Sequence, residues 1–292
     1  MRTKILLALF FLACGGRKTL AADVTFVDSL FNDSDWSAQI VHTINHNACG
    51  TFHAEFTAFQ VLTGGDPGAY RHVTHTFADG ELFVAHLNNH AIWNPVTDGG
   101  ISQILYSQDV NYLSGPGAPP FAVGYDLLLK QGSEYYISLF TYTQDVWVNS
   151  QRSSLTANDF TRLFGTFGIP GGPDKPDFSK SGPPIQFGFH TRNGADGCNT
   201  YVTDHGIDNW QVTIHPCDCP RQGDLAQNGV IDVNDVLAVI KVAFINGTDV
   251  QDPLCPKTRS NVNNLGPVDV NDVLYIIKTA FSNGPAPVNP CP

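Results

Sequence analysis

Two nineteen-residue segments near the end of the chain are almost the same, and this duplication constrains the fold more than any other feature. Gly229–Gly247 and Gly266–Gly284 agree at thirteen of nineteen positions, at an offset of 266 − 229 = 37 residues. Each copy starts with Asp and Asn residues and continues into apolar residues at helical spacing. This pattern predicts two copies of one loop–helix unit.

The polar part of each copy matches the ligand pattern of a twelve-residue calcium loop. In the first loop the oxygen ligands would come from Asp224, Asn228, the Val230 carbonyl, Asp232 and Asp235. In the second they would come from Asn261, Asn263, the Pro267 carbonyl, Asp269 and Asp272. Ala226 and Leu265 each stand where a ligand is usual, and Asn261 lacks a charge. We therefore expect Ca²⁺ in the first loop, and weaker binding or none in the second.

An apolar stripe follows each loop. It consists of Val233, Leu237, Ile240 and Phe244 in the first copy, and of Val270, Leu274, Ile277 and Phe281 in the second. A Lys and an Asn-Gly pair then mark each helix end. We expect the two helices to pack these stripes together around a pseudo-twofold axis.

The duplicated region resembles a type I dockerin, which has two loop–helix calcium repeats with Asp at the twelfth loop position. The resemblance implies calcium-dependent folding and docking onto a cohesin-like domain. It implies that Val233, Asn234, Val270 and Asn271 face that partner, and their near identity would permit two docking orientations. The alternative is a disulfide-stapled helical hairpin that no longer binds metal.

The first 22 residues resemble a signal peptide. Arg2 and Lys4 precede an apolar run from Ile5 to Ala13, which is too short to span a bilayer. Small residues before Asp23 suit ordinary cleavage, whereas the segment ending at Cys14 resembles a lipoprotein signal. Both alternatives place the protein outside the cytoplasm, either secreted or on a bacterial cell surface. We find no later stretch apolar enough to cross a membrane.

Apart from Cys14, the chain has six cysteines: Cys49, Cys198, Cys217, Cys219, Cys255 and Cys291. An even number in an exported chain predicts disulfides. The simplest partition is one bridge in the first domain and two in the second, where four cysteines allow three pairings. A zinc site is less favoured, because Cys217 and Cys219 are separated by only one residue.

The charge of the chain argues against nucleic-acid binding. Removing residues 1–22 removes four of the sixteen basic residues, so the mature chain carries 12 − 27 = −15 charges. A surface of this sign repels the phosphate backbone. Part of this Asp-rich charge would suit calcium coordination.

Residues 23–215 show short Val-, Ile-, Thr-, Tyr- and Phe-rich stretches separated by turns such as Asn193-Gly194. This pattern predicts antiparallel strands, with a single short helical turn at Thr156–Phe160. The fold class is therefore mainly β: an antiparallel β-sandwich of jelly-roll type at 23–215, followed by a small α-helical dockerin-like domain at 216–292.

Leu30–Trp36 and His205–Ile214 resemble the first and last strands of concanavalin-like or carbohydrate-binding-module jelly rolls. The resemblance implies that the terminal strands pair and that a calcium ion lies between them, with Asp208 and either Asp28 or Asp33 as ligands. The alternative is that Asp208 only satisfies a turn. Trp36 and Trp210 are expected in the core.

No catalytic residue is predicted. Glycosidases need two opposed carboxylates, and the Glu-x-Asp-x-Glu pattern of concanavalin-like glucanases is absent from the sequence. Glu55 has only His53 beside it. Binding is favoured, and Trp93, Tyr112, Tyr125 and Trp147 lie near polar loops where they could stack on sugars. The alternative, which is favoured for any single one of these rings, is burial in the core.

The sequence therefore predicts an exported, non-catalytic protein that binds an extracellular ligand, most simply a glycan, and that docks through its tail. One alternative is a glycoside hydrolase component acting on O-glycosyl bonds in polysaccharide catabolism. A second alternative is a lipid-anchored surface adhesion protein.

Overall fold

The structure is a computed structural model of the chain. It describes residues 23–48, 50, 52–115, 123–138, 141–163, 174–217, 219, 221–252, 255 and 257–291. The predicted signal segment, with Cys14, and the predicted disulfide cysteine Cys49 lie outside these ranges.

Thirteen strands precede two longer helices in the described part of the chain. The strands are β1 (Val24–Asp28), β2 (Trp36–Asn45), β3 (His53–Gly65), β4 (Gly68–Ala78), β5 (Gly80–Trp93), β6 (Gly100–Ser114), β7 (Gly124–Gln131), β8 (Glu134–Ile137), β9 (Thr141–Tyr142), β10 (Val148–Leu155), β11 (Thr161–Arg162), β12 (Ile185–Ala195) and β13 (Tyr201–Cys217). The helices are α1 (Pro95–Asp98), α2 (Val233–Ile245) and α3 (Val270–Phe281), with 3₁₀ turns at Asp33–Asp35 and at Ala157–Asp159. None of the described helices is long and apolar enough to cross a membrane.

The strands form two antiparallel sheets that pack as a sandwich, which confirms the predicted fold class. The six-stranded sheet has the order β10-β6-β13-β4-β3, and β1 also pairs with β13. The seven-stranded sheet has the order β11-β8-β7-β12-β5-β2, and β9 pairs with β7. As the jelly-roll resemblance implied, the first and last strands pair, with Val24 opposite Ile214.

The main core lies between the sheets and is centred on two tryptophans, as predicted. Trp36 on β2 meets Trp210 on β13 edge to face, with ring centroids 5.2 Å apart. Phe31 stacks on Trp36 at 5.4 Å. The Trp36 indole N–H donates to Asp28 Oδ2 at 2.7 Å, so the large ring is buried without an unpaired donor.

Three fully buried imidazoles lie between the sheets and form what we term the inner histidine cluster: His75 on β4, His86 on β5 and His205 on β13. His75 Nε2 and His86 Nε2 lie 3.1 Å and 3.3 Å from the Thr191 hydroxyl. His205 Nδ1 contacts the Tyr125 hydroxyl. Each imidazole keeps one buried nitrogen without a protein hydrogen bond.

Burial holds the inner histidine cluster in the neutral form. Desolvation lowers the pKa of His75 to about 3, helped by repulsion from His190. Burial also lowers the pKa values of His86 and His205 well below the usual range, and Arg71 reinforces the effect at His86. In the unfolded chain these groups titrate near 6.5, so between about pH 6.5 and pH 3 the unfolded state binds more protons.

We therefore predict that the free energy of unfolding falls as the pH drops from 7 to 5. Each buried imidazole should contribute a slope of up to about 1.4 kcal/mol per pH unit. Urea denaturation of wild type and of His75→Gln at several pH values measures the slope, which should be shallower in the variant. His90→Gln, at an exposed imidazole, should keep the wild-type slope. Equal slopes in wild type and His75→Gln would contradict this explanation.

The core of the C-terminal helical region is built from three symmetric pairs. They are Leu225 and Val262, Val236 and Val273, and Val239 and Ile276, each pair separated by 37 residues (262 − 225, 273 − 236, 276 − 239). The prediction that the helices pack their Val233 and Val270 stripes together was wrong for most of each stripe, of which only Ile240 and Ile277 pack against this core. Each helix has two apolar faces. The structure buries the face with Val236 and Val239 in α2, or Val273 and Ile276 in α3, rather than the face that the sequence periodicity predicted.

Two disulfides hold this region. Cys217, the last residue of β13, is bonded to Cys291, and Cys219 is bonded to Cys255. The Sγ atoms of Cys291 and Cys219 are 3.2 Å apart, so the two bridges lie side by side. Cys198 is also disulfide-bonded. The sulfur atoms that would be needed for a zinc site are therefore oxidised.

Candidate functional site

The two predicted calcium loops have the same backbone conformation. Gln227 and Asn264, at the fourth loop position, both have left-handed φ angles, 57° and 58°. Gly229 and Gly266, at the sixth position, also have positive φ, 89° and 56°. A glutamine seldom adopts this conformation, so the loop geometry is imposed by the surrounding contacts. The sequence repeat thus corresponds to a structural repeat.

Two buried carboxylates organise the first loop. Asp224 accepts hydrogen bonds from the N–H groups of Asn228, at 3.0 Å, and Gly229, at 3.1 Å. Asp235 accepts from the N–H groups of Ala226, at 2.7 Å, and Asp232, at 2.9 Å. None of the described ion pairs includes Asp235. A fully buried carboxylate without a counter-cation suits a metal ligand.

The second loop repeats this arrangement with one difference. Asp272 is fully buried and accepts from the N–H groups of Asn263, at 3.1 Å, and Asp269, at 3.0 Å. Asn261 replaces the first aspartate, and its Nδ2 donates to the Gly266 carbonyl at 2.8 Å. Its Oδ1 is buried and has no hydrogen-bond partner. A buried oxygen without a donor, in the same loop as a buried carboxylate, suits a bound cation.

Arginines distinguish the first loop from the second. Asp224 Oδ2 lies 3.6 Å from Arg221 Nη1 and 3.9 Å from Arg259 Nη1. These cations already offset part of the charge that a calcium ion would meet. Neither loop gathers three carboxylates within 4.8 Å in the described part of the chain. That finding is compatible with loops of this type, because the ninth-position residue often binds through water. The oxygen donors of both loops thus suit Ca²⁺, and the expected difference in affinity between the loops stays a prediction.

Asp232 and Asp269, at the ninth loop position, begin the two helices. Each is the N-cap, and each accepts from the N–H two residues later, Asn234 at 2.7 Å and Asn271 at 2.8 Å. Together with Asp235 and Asp272 they form a capping box at each helix. The loops and helices are therefore stabilised by the same carboxylates that would bind metal.

The outer side of each helix carries three exposed apolar side chains, which we term the docking face. In α2, Val233, Leu237 and Phe244 are 49%, 51% and 61% exposed, and in α3 their counterparts Val270, Leu274 and Phe281 are 49%, 52% and 61% exposed. Asn234 and Asn271 are exposed beside them. All four predicted docking residues lie on this surface. Sequence analysis placed the other four in the packing between the helices, whereas the structure leaves them exposed.

The carboxylates predicted for a calcium site in the sandwich each have protein hydrogen-bond or ion-pair partners. Asp208 is buried and accepts from the Asp66 and Asn209 N–H groups, both at 2.6 Å. Asp28 accepts from Leu30 and Phe31 as well as from Trp36. Asp33 lies 3.3 Å from Arg71. Among the described residues, Asp28, Asp33 and Asp208 do not form a group of three carboxylates within 4.8 Å, and a calcium ion shared by Asp208 with Asp28 or Asp33 stays a prediction.

Asp208 instead lies in a polar cluster on the six-stranded sheet. Asp208 and Asp109 are direct cross-strand neighbours. The Asn209 side-chain amide donates to Asp109 Oδ2 at 2.6 Å and to the Asp66 carbonyl. Burial raises the pKa of Asp208, and repulsion from Asp109 and Asp66 adds to the shift. These contacts agree with the alternative expectation, in which Asp208 accepts hydrogen bonds from the backbone of a turn.

Only one of the four predicted stacking rings lies on an outer face. Trp93 and Tyr125 are buried in the main core, and Tyr112 packs against it. Trp147 lies across the outer face of the six-stranded sheet, where its indole N–H donates to the Gly64 carbonyl at 3.0 Å. The absence of a side chain at Gly206 makes room for it, since a Cβ there would lie 2.9 Å from the ring. The four rings therefore do not form one platform.

A groove of about 340 Å³ opens at the edge near β1 and β5. Its polar lining includes Asp28, Asn32, Asp35, Asn88 and His90. His90 Nε2 lies 3.1 Å from Asp35 Oδ1. Hydrogen bonding from Asn32 lowers the pKa of Asp35. The groove therefore offers an ionised carboxylate beside amide groups.

Glu55 lies on the edge strand β3, with its carboxylate exposed and 3.5 Å from His53 Nε2. The pair is the one predicted from the sequence. Among the described ion pairs, the Glu55 carboxylate is paired with the His53 imidazole alone. This contact does not provide the two opposed carboxylates that a glycosidase uses.

Replacing the buried Asp272 of the second loop tests whether the carboxylates organise that loop. Asp272→Ala removes the acceptor for the Asn263 and Asp269 N–H groups, so both amides should lose hydrogen-exchange protection in EDTA. We expect the C-terminal region to lose about 1–3 kcal/mol of stability. Asp145→Ala, at an exposed aspartate of the sandwich, should change neither measurement. Unchanged protection at Asn263 in Asp272→Ala would contradict the assigned role.

No family model matches this chain, and no curated protein matches it. Several solved structures are similar to it. One is a family 11 carbohydrate-binding module from Clostridium thermocellum, in complex with a β-1,3-1,4-mixed-linked tetrasaccharide, with 13% identity over 65% of this chain and 94% of that chain, at a TM-score of 0.38. Another is a C-terminal family 22 carbohydrate-binding module from the same organism. It has 11% identity over 59% of this chain and 92% of that chain, at a TM-score of 0.28. A third is an exo-β-agarase, with 9% identity over 77% of this chain and 34% of that chain, at a TM-score of 0.32.

Proposed function

We propose that this chain is an exported, non-catalytic binding protein. Its β-sandwich recognises an extracellular glycan, and its C-terminal loop–helix pair is a calcium-dependent docking module for a cohesin-like domain. In this proposal the module attaches the sandwich to a larger extracellular or cell-surface assembly.

The matched docking faces carry the proposal. Soluble proteins seldom leave large apolar side chains exposed in contiguous groups unless a partner covers them. Here the exposure of Val233, Leu237 and Phe244 is reproduced at Val270, Leu274 and Phe281. A helical pair whose only role was to stabilise the C-terminal region would not need the same exposed apolar residues in both helices. Two equivalent faces would let one partner bind in two orientations related by the pseudo-twofold axis.

Calcium would act by fixing the loops from which both helices start. When bound, the ion would be held by oxygen atoms of Asp224, Asn228 and Asp235 in the first loop, with the Val230 carbonyl, and of Asn261, Asn263 and Asp272 in the second, with the Pro267 carbonyl. Asp232 and Asp269 occupy the position that often binds through water. Because these carboxylates also cap α2 and α3, calcium would be coupled to the helices that present the docking face.

Calorimetric titration of the full chain with CaCl₂ tests the metal part. We expect binding in the millimolar range or tighter. Asp272→Ala and Asp235→Ala should each remove one binding event, whereas Asp145→Ala should retain both. No heat of binding by wild type up to millimolar calcium would reject the calcium proposal.

Docking is tested with a panel of recombinant cohesin domains immobilised in calcium. Phe244→Ser or Phe281→Ser alone should weaken binding by only about twofold, because the other face remains. The double variant should lose binding by about 100-fold or more, since both central aromatic anchors are gone.

Leu62→Ser is the matched control, because Leu62 is an equally exposed apolar residue on β3 of the sandwich. It should bind like wild type. Full binding by the double variant would contradict the docking face, and retention of binding in EDTA would contradict calcium dependence.

A further inference from the structure

The two disulfides of the C-terminal region bring four sulfur atoms into one group, which we term the four-sulfur cluster: Cys217, Cys219, Cys255 and Cys291. The Sγ atoms of Cys217, Cys219 and Cys291 lie within 4.8 Å of one another, and Cys255 is bonded to Cys219. Across the two bridges, the Sγ atoms of Cys291 and Cys219 are 3.2 Å apart. Each disulfide needs only two sulfur atoms, and pairing alone does not require the two bridges to touch.

The spacing of the sulfur atoms is close to that of a tetrahedral zinc site. Four thiolates bind Zn²⁺ at about 2.3 Å, so neighbouring sulfur atoms lie about 3.8 Å apart. The distance of 3.2 Å between Cys291 and Cys219 and the limit of 4.8 Å for the three sulfur atoms lie on either side of this value. After reduction, rotation of the side chains would separate the bonded sulfur atoms. A tetrahedral set of four sulfur donors suits zinc.

The backbone around the four-sulfur cluster is held by contacts that do not involve sulfur. Cys217 is the last residue of β13 and is paired with β6. The Cys255 N–H donates to the Asp252 carbonyl at 2.9 Å, and the Cys291 N–H donates to Asn289 Oδ1 at 3.0 Å. Because these contacts do not require the disulfides, we expect the four thiols to stay close together after reduction. The site is therefore largely preorganised for a metal ion.

A buried side chain already donates a hydrogen bond to the cluster. Gln222 is 7% exposed, and its Nε2 donates to Cys255 Sγ at 3.1 Å. A neutral sulfur atom is a weak acceptor, so this bond contributes little in the oxidised chain. A zinc-bound thiolate is negatively charged and accepts such a bond more strongly, as ligands with outer-shell donors do at metal sites. Cys217, Cys219 and Cys255 are also buried, which limits the access of water.

The sequence spacing that argued against zinc applies only to ligands within one loop. Cys217 and Cys219 are separated by one residue, whereas paired zinc ligands usually have two to four residues between them. In the folded chain, the donors come from the end of β13, from the segment between α2 and α3, and from beyond α3. Tertiary structure thus assembles a set of ligands that no single loop provides. Calcium would not compete for it, because Ca²⁺ prefers oxygen ligands.

We propose that the four-sulfur cluster is a redox-dependent zinc site, in which its four reduced thiolates bind one Zn²⁺. Each disulfide takes two electrons and two protons from a dithiol reductant, which leaves as its own disulfide. Zn²⁺ then displaces the four thiol protons and forms a centre with a net charge of −2. In the reduced chain the ion joins β13 to the end of the chain, as the disulfides do in the oxidised chain. This inference does not depend on glycan binding or docking.

The test uses the full chain, reduced with a phosphine and titrated without oxygen, first with CoCl₂ and then with ZnCl₂, in excess Ca²⁺. One equivalent of cobalt should produce the charge-transfer and visible absorption of a tetrahedral thiolate site. Zinc should then displace the cobalt, because zinc binds such sites more tightly. The oxidised chain should show neither change. Absence of this absorption in the reduced chain, or equal absorption in the oxidised chain, would overturn the proposal.

A cysteine variant tests whether the bound metal lies in the cluster. Cys255→Ser should weaken zinc binding to the reduced chain by about 100-fold or more, because one of four metal–sulfur bonds is lost. Cys198→Ser is the matched control, since it removes a cysteine of the sandwich, and it should bind zinc like wild type. Equal affinity in Cys255→Ser and wild type would place the metal elsewhere and reject the site.

Hydrogen exchange gives a second measurement that needs no substitution. The Val288 N–H donates to the Val262 carbonyl at 2.9 Å, in the segment that leads to Cys291. In the reduced wild-type chain, one equivalent of zinc should increase the protection of this amide, because the ion fixes the end of the chain. The same amount of Mg²⁺ should have no effect. Zinc binding without a gain in protection would contradict a site that includes Cys291.

Discussion

The hydrogen-bond ladder of β13 is the interaction on which the rest of the structure depends. This strand pairs with β6 on one side and with β4 and β1 on the other. Along its seventeen residues it contributes His205 to the inner histidine cluster, Trp210 to the main core and Cys217 to a disulfide. Because Cys217 is bonded to Cys291, the same strand also holds the last described residue of the chain. A break in this ladder would therefore disturb the sandwich and the helical region together.

In the C-terminal region, symmetry and covalent bonding stabilise a small core. Six buried residues related in three pairs provide few apolar contacts for a unit of this size. Capping carboxylates and two disulfides supply the remaining constraints. This division of roles explains how the outer sides of α2 and α3 can remain apolar and exposed. The core of the region is complete without those side chains.

Buried polar groups distinguish the two sides of the seven-stranded sheet. On the inner side, His75 and His86 share the Thr191 hydroxyl and remain neutral because water is excluded. On the outer side, His190 is oriented by Asp126. The inner imidazoles connect the two sheets and make stability dependent on pH. The outer pair is also more than nine-tenths buried. The same residue type thus packs on both faces of one sheet, with a hydroxyl as its partner on one face and a carboxylate on the other.

Much of the architecture followed from local sequence alone. Alternating apolar residues and frequent turns predicted the antiparallel sandwich, because strand periodicity and turn chemistry act over a few residues. The exact spacing of the repeat predicted two loops with one backbone conformation, and the equal φ angles at Gln227 and Asn264 agree with that. The burial of Trp36 and Trp210 was also predictable, because no polar surface can accommodate such large rings at low cost.

Tertiary structure decided what periodicity could not. Each C-terminal helix is apolar on two faces, so only packing between helices determined that Val236 and Val239 are buried while Leu237 and Phe244 are exposed. Asp126 and His190 are 64 residues apart, and nothing in the sequence around either one indicates that they meet. Their contact depends on strand order and register. The sequence by itself determined the repeating units and the strands, whereas long-range pairing determined which side chains became buried and which remained exposed.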